Sequence, residues 1–286
     1  MKKITLFVLF FVFSVSVYGQ FPTPGIEGFE NTTGPAALPA TNWDLGTGAT
    51  GNQWAVFDNG TGPKRWGINT TAANVHSGTN AAYMDRENIG QGNTSRDFLA
   101  TPLITVPANG QLRFWTRSTT SAATETLYQI RLAPSTATQT SVAAYTTLIQ
   151  QWTETTLTTT YNVYEEKVVD LAAYAGQQVY LAFVMEFTQP TGALSGDRWL
   201  VDDVQLVAQC LVPTNVVTVS TTQNTATLSW NANGSTSWEI EIVPPAGTPT
   251  GVGTVYNGTL SYVATGLTAN TTYTFYVRAL CGTTSS

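Results

Sequence analysis

Two adjacent aspartates, Asp202 and Asp203, lie in the apolar run RWLVDDVQL. Only 10% of the chain is charged, so two acids side by side in a strand-like segment point to a specific role. Side chains alternate between the two faces of a strand, and the more apolar face here consists of Leu200, Asp202, Val204 and Leu206. We expect that face to meet the core. An ionised Asp202 would then cost several kcal/mol unless a cation or hydrogen bonds satisfy it.

Residues suited to bond-breaking chemistry are scarce. His76 in VHSGTN is the only histidine, which excludes zinc sites built from several histidines. No G-x-S-x-G motif accompanies it, so we interpret His76 as a turn residue. Glu165 and Glu166 are adjacent in a strand-like run and therefore lie on opposite faces, where they cannot flank one glycosidic bond. We expect a protein that is not an enzyme.

Aromatic and basic side chains are the remaining candidates for binding a ligand. In QLRFWTRS, Arg113, Trp115 and Arg117 share one strand face. A flat indole between two cations predicts a surface for glycans or for a protein partner. Core packing is the alternative for this indole, as it is for the other large aromatics Trp54, Trp66 and Tyr83.

Strands, rather than helices, must position these side chains. Strand signals recur between turns rich in Gly, Pro, Asn and Thr. The run QVYLAFVMEF (178–187) is apolar on nearly both faces, so we expect it in the centre of a sheet within a sandwich. The segment 169–176 is the best helix candidate, with one or two turns at most. The pattern predicts an all-β protein.

The N-terminal residues predict export. Residues 1–19 combine two lysines with an apolar run too short to span a bilayer comfortably, as in a secretory signal peptide. No later stretch is apolar enough to cross a membrane. The net charge is −6 and the pI is about 4.7, which argues against nucleic acid and anionic membranes as partners because both attract basic patches. We expect a protein that is secreted or displayed at the cell surface.

A domain boundary is predicted near AQCLVPTN (208–215), and the residues after it resemble a fibronectin type III domain. The segments CLVPTNVVTVSTTQNTATLSW, WEIEIV and ATGLTANTTYTFYVRALC carry the resemblance. Trp230 matches the family's core tryptophan, and Leu267 with Tyr273 matches the corner where a tyrosine hydroxyl ties back to the backbone. The chain stops at Gly282–Ser286, where the family continues into its last strand. We therefore expect a truncation before that strand, with an unpaired sheet edge as the alternative.

Two cysteines, Cys210 and Cys281, remain after the predicted signal peptide. An even count in an exported chain predicts a disulfide. Its loop closure would contribute roughly 4 kcal/mol on the chain-entropy account. The pairing also resembles a variant of the fibronectin type III domain in secreted Gram-negative proteins. Two free buried thiols are the alternative.

The residues before the boundary resemble the cleaved-adhesin or choice-of-anchor J type of jelly-roll domain. GIEGFEN, VHSGTNAAY, RDFLATPLITV, LRFWTRS and RWLVDDVQL occur in order and carry the resemblance. It implies a jelly-roll β-sandwich of an exported bacterial protein, related in architecture to carbohydrate-binding modules. One departure concerns residues 42–54, where the Asp-rich loop of some members keeps only Asp44. A calcium site on that loop is therefore not expected.

Exported jelly rolls of this kind often hold a calcium ion near the edge where the first and last strands meet, with six to eight oxygen ligands. The resemblance thus implies a structural Ca²⁺ held by Glu30, Asp202 and Asp203, with Glu27 as a weaker candidate. The alternative is that Asp202 accepts hydrogen bonds from backbone amides or from Arg198. Asp203 would then face solvent.

These observations predict a signal peptide over 1–19, a jelly-roll domain over 20–208 and a fibronectin type III domain over 211–286. The first functional hypothesis is a secreted, non-enzymatic adhesion or recognition protein that binds extracellular glycan or protein ligands. The second is a set of ancillary binding and spacer domains of a larger secreted hydrolase, whose catalytic part would lie beyond Ser286.

Overall fold

The computed structural model describes residues 26–30, 43–44, 54–120, 124–190, 196–281 and 284–285. The predicted signal peptide (1–19) and most of the loop 42–54 lie outside the described residues. Within those ranges, no helix is long and apolar enough to cross a membrane.

The strands up to residue 208 form two sheets that pack face to face. They are β1 (Ile26–Glu27), β2 (Trp43–Asp44), β3 (Trp54–Asp58), β4 (Gly67–Asn69), β5 (Ala81–Met84), β6 (Thr94–Ala100), β7 (Ile104–Thr105), β8 (Gly110–Ser118), β9 (Thr126–Pro134), β10 (Thr147–Thr153), β11 (Glu165–Asp170), β12 (Gln178–Thr188) and β13 (Trp199–Ala208).

The first sheet, sheet A, has the order β11-β8-β13-β5-β4, with β1 beside β13. The second, sheet B, has the order β10-β9-β12-β6-β3-β2, with β7 beside β12. β2 and β3 pair in parallel, and the other pairs are antiparallel. Aromatic side chains from both sheets fill the space between them, among them Trp66, Phe114, Tyr128, Phe183 and Trp199.

Strand β12 shows why an unusually apolar sequence is needed at the centre of sheet B. One face, including Leu181 and Phe183, packs into the core between the sheets. The other face, including Tyr180 and Val184, packs into a second buried cluster with Tyr145 on the outside of the sheet. The predicted central position of this strand is confirmed.

The expected helix over 169–176 is largely wrong. Val169 and Asp170 end β11, and only Ala172–Tyr174 form a single 3₁₀ turn. The α-helix of the described residues is α1 (Glu154–Leu157), also one turn. Val169 belongs to the strand because its side chain is buried in the core opposite Leu112.

The second domain is a smaller sandwich. Its strands are β14 (Thr214–Thr221), β15 (Ala226–Asn231), β16 (Trp238–Val243), β17 (Thr254–Tyr256), β18 (Ser261–Ala264), β19 (Thr274–Cys281) and β20 (Thr284–Ser285). They form the sheets β14-β15-β18 and β17-β16-β19-β20. The core contains Trp230 and Trp238, and the hydroxyl oxygen of Tyr273 accepts the backbone N–H of Thr268 at 3.1 Å. The all-β prediction is confirmed in both domains.

Candidate functional site

A β-bulge in β13 decides where the paired aspartates point. Asp203 has φ +48°, and the pairing with β8 shifts register between Asp202 and Gln205. Trp199 and Val201 before the bulge and Val204 after it all reach the core. The expectation that Asp202 lies on the core face is therefore wrong. It lies on the outer face of sheet A, because the bulge inserts an extra residue and breaks the count by twos.

Asp202 is nevertheless completely buried, because a loop covers it. Its Oδ2 accepts the backbone N–H groups of His76 at 2.8 Å and Ser77 at 3.3 Å, and its Oδ1 accepts the N–H of Asp203 at 2.8 Å. Burial, together with the charge of Asp203, raises the pKa of Asp202 to about 6, against the lowering effect of the amide bonds. At neutral pH the side chain is an anion that fastens the loop to the sheet.

Asp203 and Glu30 hold the same loop from two further sides. The imidazole Nδ1 of His76 lies 2.7 Å from Oδ2 of Asp203, and the Ser77 hydroxyl donates to Oδ1 at 2.7 Å. Glu30 accepts the N–H of Thr79 at 2.9 Å and its hydroxyl at 2.7 Å. Ser77 thus donates to the carboxylate and not to the imidazole, so these residues do not have the order of a Ser-His-Asp triad.

The predicted metal ligands therefore meet in one place, which we call the loop-anchoring cluster: Glu30, Asp202 and Asp203. A Cβ placed on Gly28 would lie 3.5 Å from an Asp203 oxygen and 3.9 Å from an Asp202 oxygen. Glu27 does not join them, because its carboxylate accepts the N–H of Phe29 at 2.7 Å.

These contacts favour the hydrogen-bonded alternative for the loop-anchoring cluster. Both oxygens of each carboxylate already accept an N–H or O–H, or contact the His76 ring nitrogen. Among the described residues, no three His, Cys, Asp or Glu side chains are arranged to hold a metal ion. Arg198 does not take part, since it pairs with Asp85 at 2.8 Å. Calcium at this cluster stays a prediction.

The loop also covers the predicted ligand-binding tryptophan. The His76 ring stacks on Trp115 with 3.9 Å between ring centroids and 12° between ring planes. Tyr164 flanks the imidazole at 5.3 Å, and its hydroxyl donates to the carbonyl of Asn74 at 2.7 Å. One face of the indole is thus occupied by the protein itself. Sequence reasoning missed this role of His76, for which the only signal was that the single histidine precedes Ser-Gly.

The two arginines beside Trp115 behave differently. Arg117 is buried, donates to the Asn74 side chain and contacts the Tyr164 ring. It therefore supports the loop and is closed to a ligand. Arg113 forms a two-pronged pair with Glu166, with N–O distances of 2.6 and 2.8 Å, and remains partly exposed.

Exposed apolar side chains lie on the edge strand β11 of sheet A and in the segment just before it. Tyr161, Val163 and Val168 are 52%, 49% and 47% exposed, respectively, and Val168 lies opposite Arg113 in the β8–β11 register. We call the surface formed by Arg113, Trp115, Tyr161, Val163, Tyr164, Glu166 and Val168 the β8–β11 face. β11 is the last strand on this side of sheet A.

The predicted disulfide stays a prediction. Cys210 lies beside the core of the second domain, with its sulfur 3.8 Å from the carbonyl oxygen of Ala279. Ala279 is two residues before Cys281, whose side chain lies outside the described residues.

The two sandwiches define the class of protein. Residues 41–206 match the Cleaved Adhesin Domain family, and residues 211–286 match the Fibronectin type III domain family. The chain belongs to the Cleaved Adhesin Domain family and carries a fibronectin type III domain after it.

Several similar proteins come from Porphyromonas gingivalis. The chain is 31% identical to Hemagglutinin A over 150 residues, which are 46% of this chain and only 6% of that protein. The solved K1 and K3 cleaved adhesin domains of Lys-gingipain are each 20% identical and cover 64% of this chain, with TM-scores of 0.44 and 0.42. The alignments span 97% and 98% of those two domains.

Proposed function

We propose that this chain is an exported, non-enzymatic adhesion protein that binds extracellular glycan or protein ligands through its β8–β11 face. The membership in the Cleaved Adhesin Domain family supports an adhesion role. The observation that carries the location is the part-exposed Trp115 on β8 beside the paired edge strand β11, which carries the exposed Val168. Contiguous apolar surface with aromatic residues and few unpaired charges is typical of recognition sites.

The charges on this face are arranged for specificity. Because Glu166 neutralises Arg113, the face does not attract anions in general. A ligand that meets it gains mainly from apolar and aromatic contact, and the paired guanidinium and carboxylate offer hydrogen bonds at the rim. An uncharged glycan or a mixed protein surface fits this chemistry better than a polyanion does.

Direct binding tests the proposal. The full chain would be measured against immobilised neutral matrix glycans and matrix proteins. The variants are Trp115→Ala and Val168→Glu, and the second changes only an exposed side chain. We expect each variant to weaken binding by at least about tenfold, which corresponds to about 1.4 kcal/mol.

The matched control is Leu148→Glu. Leu148 is also exposed, at 45%, but lies on β10 at the edge of sheet B. Binding that Val168→Glu leaves unchanged and Leu148→Glu abolishes would move the site to the other sheet. Binding that neither Trp115→Ala nor Val168→Glu alters would refute the β8–β11 face.

A further inference from the structure

A second candidate surface lies on the second domain, on the outer face of the sheet that contains β16 and β19. In the β16–β19 register, Glu239 lies opposite Arg278 and Glu241 lies opposite Tyr276. These four side chains point away from the core, because they alternate along their strands with core residues such as Ile240. An aromatic ring, a cation and two carboxylates therefore lie side by side on one face.

The loop between β16 and β17 (residues 244–253) is fastened to this face by the two glutamates. Glu241 accepts the N–H of Thr250 at 2.6 Å and its hydroxyl at 2.9 Å. Glu239 accepts the N–H of Gly253. The N–H of Gly253 lowers the pKa of Glu239, and the N–H of Thr250 lowers the pKa of Glu241. Both carboxylates are therefore ionised anchors of the loop at neutral pH.

Close packing and an arginine complete the attachment of this loop. A Cβ on Gly253 would lie 2.4 Å from the carbonyl oxygen of Ile240, so a larger residue would push the loop away from β16. The guanidinium Nε and Nη2 of Arg278 donate to Oε2 of Glu239 at 2.9 and 2.6 Å. Its Nη2 also donates to the carbonyl of Gly251 at 2.9 Å. The loop is thus held in place without a ligand, and a preformed site avoids the cost of ordering on binding.

The loop and the sheet face enclose a pocket of about 240 Å³, which we call the Tyr276 pocket. Its apolar lining comes from the ring of Tyr276, which is 45% exposed, from Pro249 and from the backbone of the loop glycines. Its polar lining comes from Arg278 and the two glutamates. Sites for drug-sized ligands have volumes of roughly 300–1,000 Å³, so this smaller pocket suits a single ring.

The polar groups of the pocket can both donate and accept further hydrogen bonds. Among the described residues, Nη1 of Arg278 has no partner, so its N–H groups are available to a ligand. The carboxylate oxygens of Glu239 and Glu241 have lone pairs beyond those used by the loop. A pair of neighbouring hydroxyls matches this combination, because each hydroxyl can donate to a carboxylate or accept from a guanidinium.

The charges of the pocket select a neutral ligand. Glu239 and Glu241 outnumber Arg278, so one negative charge remains and anionic ligands are repelled. The exposed ring of Tyr276 offers a flat apolar surface to the C–H face of a ligand ring. A sugar ring has one such apolar face and neighbouring hydroxyls at its edge. A peptide side chain of similar size would use the tyrosine ring but would leave the arginine N–H groups without a partner.

We propose that the Tyr276 pocket binds a single neutral sugar residue of an extracellular glycan. The ring of the sugar stacks on Tyr276, and its hydroxyls bond to Arg278 and to the glutamates that anchor the loop. This site is on a different domain from the β8–β11 face and does not depend on it. A chain with two such sites would hold a surface that carries many glycans more strongly than either site alone, because the second contact is intramolecular.

NMR spectroscopy of the full chain tests the proposal. The probes are the methyl glycosides of glucose, galactose, mannose and N-acetylglucosamine. Saturation-transfer difference spectra detect weak binding, and amide chemical shifts locate it on the protein. We expect at least one glycoside to bind with a dissociation constant of about 1 mM, as for a ligand of one ring. The amide signals of Gly251, Gly253 and Arg278 should shift on binding.

Three substitutions test the role of the tyrosine ring. Tyr276→Ala removes the stacking surface and should weaken glycoside binding by at least about tenfold. Tyr276→Phe keeps the ring and should retain most of the affinity. The matched control is Val263→Ala, because Val263 is similarly exposed, at 52%, but lies on β18 in the other sheet of the same domain. Dispersed amide spectra show that each variant is folded.

Three results would overturn the proposal. The first is the absence of binding for every glycoside at about 10 mM, ten times the expected dissociation constant. The second is binding that Val168→Glu abolishes and Tyr276→Ala leaves intact, which would place the sugar at the β8–β11 face. The third is a matrix-protein peptide that shifts the amides of Gly251 and Gly253 when no glycoside does, which would assign the pocket to a protein partner. Glycoside binding that Tyr276→Ala abolishes and Val168→Glu leaves intact supports the proposal, whatever the fate of the β8–β11 face.

Discussion

We predict that Arg117 contributes far more to the free energy of unfolding than Arg113, the part-exposed arginine on the same strand β8. It is 6% exposed, donates to the side chain of Asn74 and to the carbonyl of Asn162, and lies 5.3 Å from the ring centroid of Tyr164. Arg117→Ala removes two hydrogen bonds from a charged donor, about 1.5 kcal/mol each, and a cation–π contact of about 1 kcal/mol. Since the 3.4 Å bond to Asn162 is long, we expect a net loss of about 3 kcal/mol.

Arg113→Ala is the control. Arg113 lies four residues earlier on the same strand, β8, but its partner Glu166 is partly exposed, as is its own side chain. Exposed ion pairs contribute about 0–1 kcal/mol. The two substitutions remove the same chemical group from one strand. The difference between their losses of unfolding free energy therefore measures what burial and the loop contacts of Arg117 contribute to stability.

Urea unfolding of the full chain measures the free energy of unfolding of each variant. Amide hydrogen exchange shows which segments lose stability. Faster exchange is expected in the segments 72–76 and 159–164, which Arg117 connects, and little change is expected in the second domain. A loss below about 1 kcal/mol for Arg117→Ala, or equal losses for both variants, would show that Arg117 does not hold the two segments together.

Two further predictions concern the same loop. Gly78→Ala should destabilise the first domain by more than about 2 kcal/mol, because Gly78 has φ +66° and an added Cβ would overlap the Glu30 carboxylate. Gly92→Ala, with φ +80° and open space around the added Cβ, should cost only about 1–2 kcal/mol; equal drops in thermal melting would contradict the overlap. The second concerns pH. Because the folded pKa of Asp202 is raised to about 6, the folded state binds the proton more tightly, so stability falls as pH rises from about 4 to about 6. The change is of order 3 kcal/mol at most. Because the raised pKa of Asp97 also lowers stability over this range in both chains, the measurement is the difference in urea midpoint between the unmodified chain and Asp202→Asn, which should change between pH 4 and pH 6.

The sequence predicts the strands better than it predicts their faces. The two apolar faces of β12 placed it correctly in a sheet centre, because such a strand must be covered on both sides. The nearness of Glu30 to Asp202 followed from pairing of the first and last strands. The bulge at Asp203 could not be predicted, because no glycine marks it and the pairing with β8 sets it. Asp97 is completely buried, and the sequence carried a usable signal for this. In SRDFLA, Asp97 is two residues before Leu99, so the two side chains share one face of the strand, and Leu99 belongs to the core.

The loop-anchoring cluster gives Glu30, Asp202 and Asp203 a role in supporting the proposed binding surface, although only Asp202 is buried. Three carboxylates fix the segment that carries His76, and His76 in turn fixes Trp115 by stacking. An immobilised aromatic side chain loses little rotamer freedom when a ligand binds, so more of the contact energy appears as affinity. An exposed tryptophan without this cover would have to be ordered by the ligand itself. The acids that the sequence suggested as metal ligands thus hold this loop through backbone amides and through the side chains of His76, Ser77 and Thr79. We expect this loop to be the rigid support of the proposed β8–β11 face.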